Sequence, residues 1–463
     1  MSNGGHIHAE NIWDAYTLLH EGTLALAEVE QQGMRVDVDY ILKKNIWIDK
    51  KIAKLESIIY ESEFFENWKK FHKGKVNIYS PAQMSSYLYD GLGIKIAKST
   101  ASGGGSTDEE ALGALGISEL DTFLEIKKLK KVKTTYLGGF LREQVDGFIH
   151  PFYNLQLAVS FRSSCSAPNL QNVPIRDEET MKLCRQALYP RKGFQLLELD
   201  YSQLEVRISA CVNKDPTLLH YLETGHDMHK DIAIQIFNLK KYDPEIHSTL
   251  RKSAKNGFVF PQFYGDYYKK NAKLIAEGWC KLPETVWKRG QGIGVGNQKV
   301  SDILIDGGIN SYTKFTNHLQ EIEADFWGNR FPVYDKWKDT WWKEYQKNGY
   351  FLSKTGFLFK GVMSKNEACN YPIQSSAFHV MLWSLIKATE AFKKYKMKTR
   401  IVGQIHDSIL PDTHPKEREN VIEIMKQIME KDVKKAWPWI ITPLKVDVSV
   451  CPVDGSWAEK KEI

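Results

Sequence analysis

Two carboxylates in this 463-residue chain each end an apolar run. Asp200 follows Leu196-Leu197-Glu198-Leu199, and Asp407 lies at the centre of TRIVGQIHDSILPDT, two short strand-like stretches around His406-Asp407. An Asp at the tip of a buried strand must be paired, hydrated or bound to a metal. Two such groups brought together repel, and they favour a divalent cation such as Mg²⁺, which uses one or two carboxylates plus phosphate oxygens. Taken singly, each Asp reads equally well as a strand-end turn residue, and spacing alone does not join them. Between them, RKSAK sets Arg251 and Lys255 at i and i+4, on one helical face. Phe258, Phe260, Phe263 and Tyr264 follow, a stacking surface beside a cationic one, although a solvated helix gives the same pattern. GQGIGVGN does not fit G-x-G-x-x-G and lacks the flanking strand and helix of a dinucleotide loop.

The elements that must position these groups show in the periodicity. Residues 11–33 read as a helix ending at Gly33. Ile41, Ile48, Ile52, Leu55 and Ile59 mark one face of a long helix after Asp39. STASGGGST at 99–107 reads as a loop, and 109–145 as helical, carrying Lys127, Lys128, Lys130, Lys131 and Lys133. QLLELDYSQLEVR begins as a buried strand and turns helical, and 216–262 is mostly helix. Residues 266–318 read as irregular, and Leu319–Gln346 as one long Trp-rich helix. The stretch around His406 reads as a hairpin.

Length implies several lobes. Lysine plus arginine is 63 against 57 acidic residues, a formal +6 that says little by itself, but residues 266–300 hold seven Lys/Arg against three Asp/Glu. Aromatic residues reach 12%, which suits base stacking and a large core alike. No run of 18 apolar residues exists, so no membrane span is expected. The N-terminus lacks an apolar signal segment. The six cysteines form no CxxC pair and read as free thiols in a reducing compartment, giving a cytoplasmic expectation.

Taken together and in order, these segments resemble family A DNA polymerases, the DNA polymerase I group. Asp200-Tyr201-Ser202-Gln203-Leu204-Glu205-Val206-Arg207 is similar to motif A, Arg251 to Gly265 to motif B (R-x3-K-x3-F/Y-x3-Y-G), and Gln404-Ile405-His406-Asp407 to motif C. SSCSAPNLQNVP at 163–174 resembles SSxxPNLQNIP. Asn370-Tyr371-Pro372-Ile373-Gln374 resembles N-x-P-x-Q, and the lysine run ending Thr134-Thr135-Tyr136 resembles the thumb tip.

The resemblance implies an α+β right hand, with an antiparallel-sheet palm and largely helical fingers and thumb. It divides the chain into an N-terminal palm segment (1–37), thumb (38–145), palm with motif A (146–215), fingers with motif B and an insertion at about 266–318 (216–354), and palm with motif C (355–463). Asp200 and Asp407 would hold two Mg²⁺, with Mn²⁺ able to substitute. Arg251, Lys255 and His229 would grip a deoxynucleoside triphosphate, with Lys255 as proton donor to the leaving group. Glu205 would exclude a ribose 2′-hydroxyl, Gln203 would support the nucleotide, and Tyr264 would occupy the template stacking place in the open state. Arg162, Asn169, Gln171, Asn172, Asn370, Gln374 and His406 would touch primer–template DNA. Lys131 and Lys133 would hold duplex phosphate.

Four departures stand out. Ser408 replaces the usual Glu of motif C, and its hydroxyl is expected to bind water. Phe161 replaces the usual Gly before Arg162. Motif B is one residue longer than usual, with nine steps from Lys255 to Tyr264 where eight is the norm, and Pro261 falls inside its helix. The span after Gly265 exceeds the family norm, implying an extra fingers element on DNA or a site for a replication partner. Motif B therefore needs a bulge between Asn256 and Phe260, which would turn Phe260 toward the nucleotide. The resemblance leaves no room for 3′–5′ exonuclease or 5′ nuclease domains and suggests a bacteriophage-type replicase. A single-subunit RNA polymerase relative and a catalytically weak DNA-binding subunit are the rival readings.

Overall fold

The computed structural model describes residues 9–96, 98–100, 103–175 and 177–463. Its centre is a five-stranded antiparallel sheet in the order Arg400–Ile405, Ser408–Thr413, Gln195–Tyr201, Val446–Val450, Lys461–Glu462. The strand Gln195–Tyr201 is apolar along most of its length, and alternation divides its side chains between two faces. Leu197, Leu199 and Tyr201 pack into the core, where the Tyr201 hydroxyl donates to the Met429 carbonyl at 2.8 Å and lies 2.8 Å from Ser384 Oγ. Glu198 and Asp200 take the opposite face. The long helix Lys365–Lys394 backs the sheet, and Ser364 caps it through a reciprocal bond with Glu367.

The region expected to be the thumb contains the helix Val38–Tyr60, capped by Asp37, which accepts the Tyr40 N–H. Ile41, Ile48, Ile52 and Ile59 are its buried face, as the spacing predicts. The helix Ser118–Lys131 packs against it and carries most of the lysine run. The central sheet and the helices of 38–143 share one hydrophobic core, whereas residues from Ala210 to Tyr334, in the segment expected to be the fingers, form a second. Two stretches differ from expectation. Residues 266–318, read as irregular, contain helices at Tyr268–Lys273 and Val300–Asp306, the start of Tyr312–Asp325, and a short hairpin at 294–299. Their apolar residues are too sparse for a visible period, yet Leu282, Trp287, Val295, Val300 and Leu304 are buried in the second core. Leu319–Gln346 is not one helix. The chain breaks at Phe331, and Pro332 opens the helix Pro332–Asn348. Of the expected loop at 99–107, Ala101 and Ser102 lie outside the described residues, and Ser99 bridges Gly105. All six cysteines are buried and unbridged. Among the described residues no helix is long and apolar enough to cross a membrane.

Candidate active site and nucleic-acid cleft

Register brings the two carboxylates together. Ser408 pairs with Asp200 across the sheet, and the Tyr201 N–H donates to the Asp407 carbonyl at 3.2 Å. Ile405 pairs with Ser408, so His406 and Asp407 form a two-residue turn, with His406 at φ 51°. Withdrawal from bulk water, and then Asp407, Glu198 and Asp447, push the Asp200 carboxyl up to about 7. Burial likewise raises Asp407, opposed by Arg162 and His406. Two oxygen donors held in mutual repulsion suit a hard divalent cation such as Mg²⁺. No cluster of three or more His, Cys, Asp or Glu among the described residues forms a complete cage. Such an ion would therefore take its remaining ligands from water and phosphate. Ser408 is buried, and its hydroxyl donates to the Ile405 carbonyl at 2.9 Å, closing the turn.

Across the cleft, Arg251, Lys255 and His229 converge. Asp227, which caps the helix Met228–Ile236, accepts from Arg251 Nε at 2.6 Å. Burial lowers His229 to about 4, reinforced by Lys255 and Arg251, and neither ring nitrogen has a partner. Burial and Arg251 also lower Lys255. Two neighbouring cations beside a neutral imidazole with unpartnered ring nitrogens form a site for a polyanion. Motif B contains the expected bulge: a π-helical turn spans Lys255–Val259 between the helices Pro244–Ala254 and Phe260–Phe263. Phe258 and Val259 consequently point into the second core, while Phe260 lies 5.1 Å below Lys255 Nζ and 5.7 Å from the His229 ring. Gly257 serves close packing, because a Cβ there would stand 2.5 Å from Ile275.

Phe260 lines a hollow with Glu205, Tyr264, Asn370 and Gln374. Glu205 is held from two sides, by an ion pair with Arg162 and by the Tyr264 hydroxyl. Gln203, in the left-handed region at φ 55°, begins the helix that carries Glu205. Gly265 has φ +90° and lies against Asn366, whose Nδ2 donates to the Gly265 carbonyl at 3.2 Å. Asn370 donates to the Tyr264 carbonyl at 3.1 Å.

A cleft of about 1280 Å³ reaches His406, the neighbour of Asp407. Lys127, Lys128, Lys130 and Lys131 line one side, and Gln171, Asn172 and His406 the other. Lys133, further along the chain, pairs with Asp49 at 2.5 Å. Asn169 accepts the Asn172 N–H and caps the turn between them. One positioning residue, Asp227, carried no sequence signal. Gln404, the first residue of motif C, was given no role by the sequence; it is fully buried, its Oε1 accepts from Ser163 and Gln171, and its Nε2 donates to the His406 carbonyl at 2.7 Å.

A family model described as DNA polymerase family A matches residues 45–276 and 329–459. Curated relatives include the DNA polymerase I of Caldicellulosiruptor bescii, 28% identical over 436 residues, with 90% of this chain and 45% of that protein covered. The DNA polymerase I of Lactococcus lactis subsp. cremoris is 28% identical over 454 residues, covering 96% of this chain and 46% of its own length. The chain thus spans about half the length of the curated relatives it matches. In structure it is similar to the POL domain of Pol1 from M. smegmatis, solved in complex with DNA primer–template and dNTP. The TM-score is 0.75 at 24% identity, over 95% of this chain and 70% of that one, a likeness of fold.

Proposed function

The chain belongs to DNA polymerase family A, and from that premise we propose that it is a DNA-directed DNA polymerase extending a primer 3′-hydroxyl with deoxynucleotides. The observation that carries this reading is the convergence of Asp200, on its strand, with Asp407, in the turn that leads into the neighbouring strand, together with the grouping of Arg251, Lys255 and His229. When bound at the two carboxylates, two Mg²⁺ (or Mn²⁺) would supply charge neutralisation at the triphosphate and acidify the attacking hydroxyl. The rest falls to the chain's own groups. Arg251, held by Asp227, and His229, with two free ring nitrogens, bind phosphate oxygens. Lys255 donates its proton to the departing pyrophosphate, and its lowered basicity favours that transfer. Phe260 packs against the incoming nucleotide, and Glu205 fills the space a 2′-hydroxyl would need. Gln203 supports the same pocket. Tyr264 yields its place to the template base.

The thumb lysines hold duplex phosphate, a sequence-independent and salt-sensitive grip. Arg162, Gln374 and His406 meet the minor groove at the primer terminus, where acceptors are similar for every base pair, so geometry is sensed and sequence is not read. The test is extension of a labelled primer on a defined template with Mg²⁺ and the four deoxynucleotides. Template-directed extension is expected from the parent and none from Asp407→Asn. Equal extension by both proteins would overturn the assignment of the acid pair.

A further inference from the structure

Away from the acid pair, a column of rings runs from the long helix Lys365–Lys394 to Arg162. His379, on that helix, is fully buried. Its Nδ1 lies 2.6 Å from Thr355 Oγ1 and 3.4 Å from Ser375 Oγ. Thr355 Oγ1 is 3.0 Å from Ser353 Oγ, which accepts the Phe357 N–H at 3.1 Å. One consistent order of donors runs Phe357 N–H to Ser353, Ser353 to Thr355, and Thr355 to Nδ1. That order leaves the proton of the neutral imidazole on Nε2. Burial lowers the ring to about 3, so it stays neutral across the working range. Nε2 has no hydrogen-bond partner of full geometry, and the Phe161 carbonyl is the backbone acceptor beside the ring.

The ring faces continue the connection. His379 stacks on Phe357 at 3.9 Å between centroids, and Phe161 meets Phe357 at 5.0 Å and Phe359 at 5.1 Å. Phe161 stands at φ +54°, a left-handed conformation that a bulky side chain rarely adopts. Such a conformation persists only where its surroundings over-determine it. Here they do so from both sides of the residue, the ring and the carbonyl. The next residue is Arg162, whose guanidinium pairs with Glu205 and also acts on Asp407. The direction in which so long a side chain leaves the backbone decides which of these groups, or which base edge, it meets.

We propose that His379 is a positioning residue for Arg162, fixing the Phe161 backbone through the ring stack and the Phe161 carbonyl and so aiming the guanidinium at the minor groove of the primer terminus. This rests on the polymerase reading above. Three proteins test it: the parent, His379→Phe, which keeps a ring on Phe357 but removes the donor, and Phe161→Leu, which breaks the stack. Each extends two primers, one ending in guanine and one in 3-deazaguanine, which lacks the minor-groove N3 acceptor. In the parent the missing acceptor is expected to slow extension roughly ten- to hundredfold, as for a lost bond to a charged donor. In both variants the ratio should fall toward one, because a misdirected Arg162 has no contact left to lose. A parental ratio retained in His379→Phe, whatever its overall rate or melting temperature, overturns the proposal. If that variant does not fold, Phe161→Leu decides by the same ratio. A parent that extends neither primer sinks the polymerase reading itself, and the proposal with it.

Discussion

Asp200 works against the fold that holds it. Its carboxyl is pushed up to about 7 in the folded protein, against about 3.9 in an unfolded chain. Between those values the folded state keeps a proton that the unfolded state has released. Stability therefore falls as pH rises through that window. Asp200→Asn removes the titration. The variant should lose nucleotide addition yet melt above the parent at pH 8 without divalent ions, with the gap closing toward pH 4. Added Mg²⁺ should narrow the gap at pH 8 by stabilising only the parent. Melting curves across pH check this, and a pH-independent gap would contradict it. Glu205 carries a second residue-scale prediction. Glu205→Ala should admit ribonucleotides, and it should also release Arg162 and Tyr264 from their shared partner. Single-nucleotide insertion kinetics should show a smaller preference for deoxy- over ribonucleotides. An unchanged preference would place the 2′-hydroxyl contact on another residue.

At the scale of elements, the π-helical turn Lys255–Val259 decides which phenylalanine meets the nucleotide. Phe260→Tyr should improve incorporation of dideoxynucleotides, its hydroxyl filling the place of the missing 3′-hydroxyl. Phe258→Tyr should instead lower the melting temperature, since Phe258 is fully buried against Phe326. Better dideoxynucleotide use by the Phe258 variant alone would reverse the assignment. This bulge was legible because motif B has fixed anchors at both ends, so one surplus residue must be absorbed between them. The hairpin at His406-Asp407 and the buried face of Val38–Tyr60 were legible for a related reason, since strand and helix periods show wherever one face is apolar. The helices within 266–318 were not, because their few apolar residues pack between Lys- and Gly-rich stretches that mask any period. The Lys133–Asp49 ion pair was not legible either, because the sequence does not show Asp49 on a neighbouring helix. The roles of Asp227 and His379, and that of Gln404 within motif C, were not legible because each acts through a hydrogen-bond partner distant in the chain.

At the scale of the molecule, the division into two cores matters most. The central sheet and the helices of 38–143 share one, and residues from Ala210 to Tyr334 build the other. The segment 277–328, which the family match leaves out, contributes Leu282, Trp287, Val300, Leu304 and Phe315 to the fingers core. It is therefore part of the fingers' structure and not an appendage to them. Leu304→Ala should cost about 2–5 kcal/mol of fingers stability. Native-state hydrogen exchange should show the loss across the helices of 228–325, with protection of Gln195–Tyr201 unchanged. A uniform loss over both regions would show the two cores to be one cooperative unit.

The sheet order has a consequence for how the protein is made. The strand Gln195–Tyr201 pairs on one side with Ser408–Thr413 and on the other with Val446–Val450. At about 5–20 residues per second, the roughly 200 residues that separate it from its first partner take some 10–40 seconds to leave the ribosome. Through that interval an apolar strand has both edges open, the state most prone to pairing with another nascent chain. The fingers, with a core of their own, are able to condense in the meantime. Faster translation, or a chaperone that shields short apolar segments, should therefore improve the yield of folded protein more than any change at the catalytic centre.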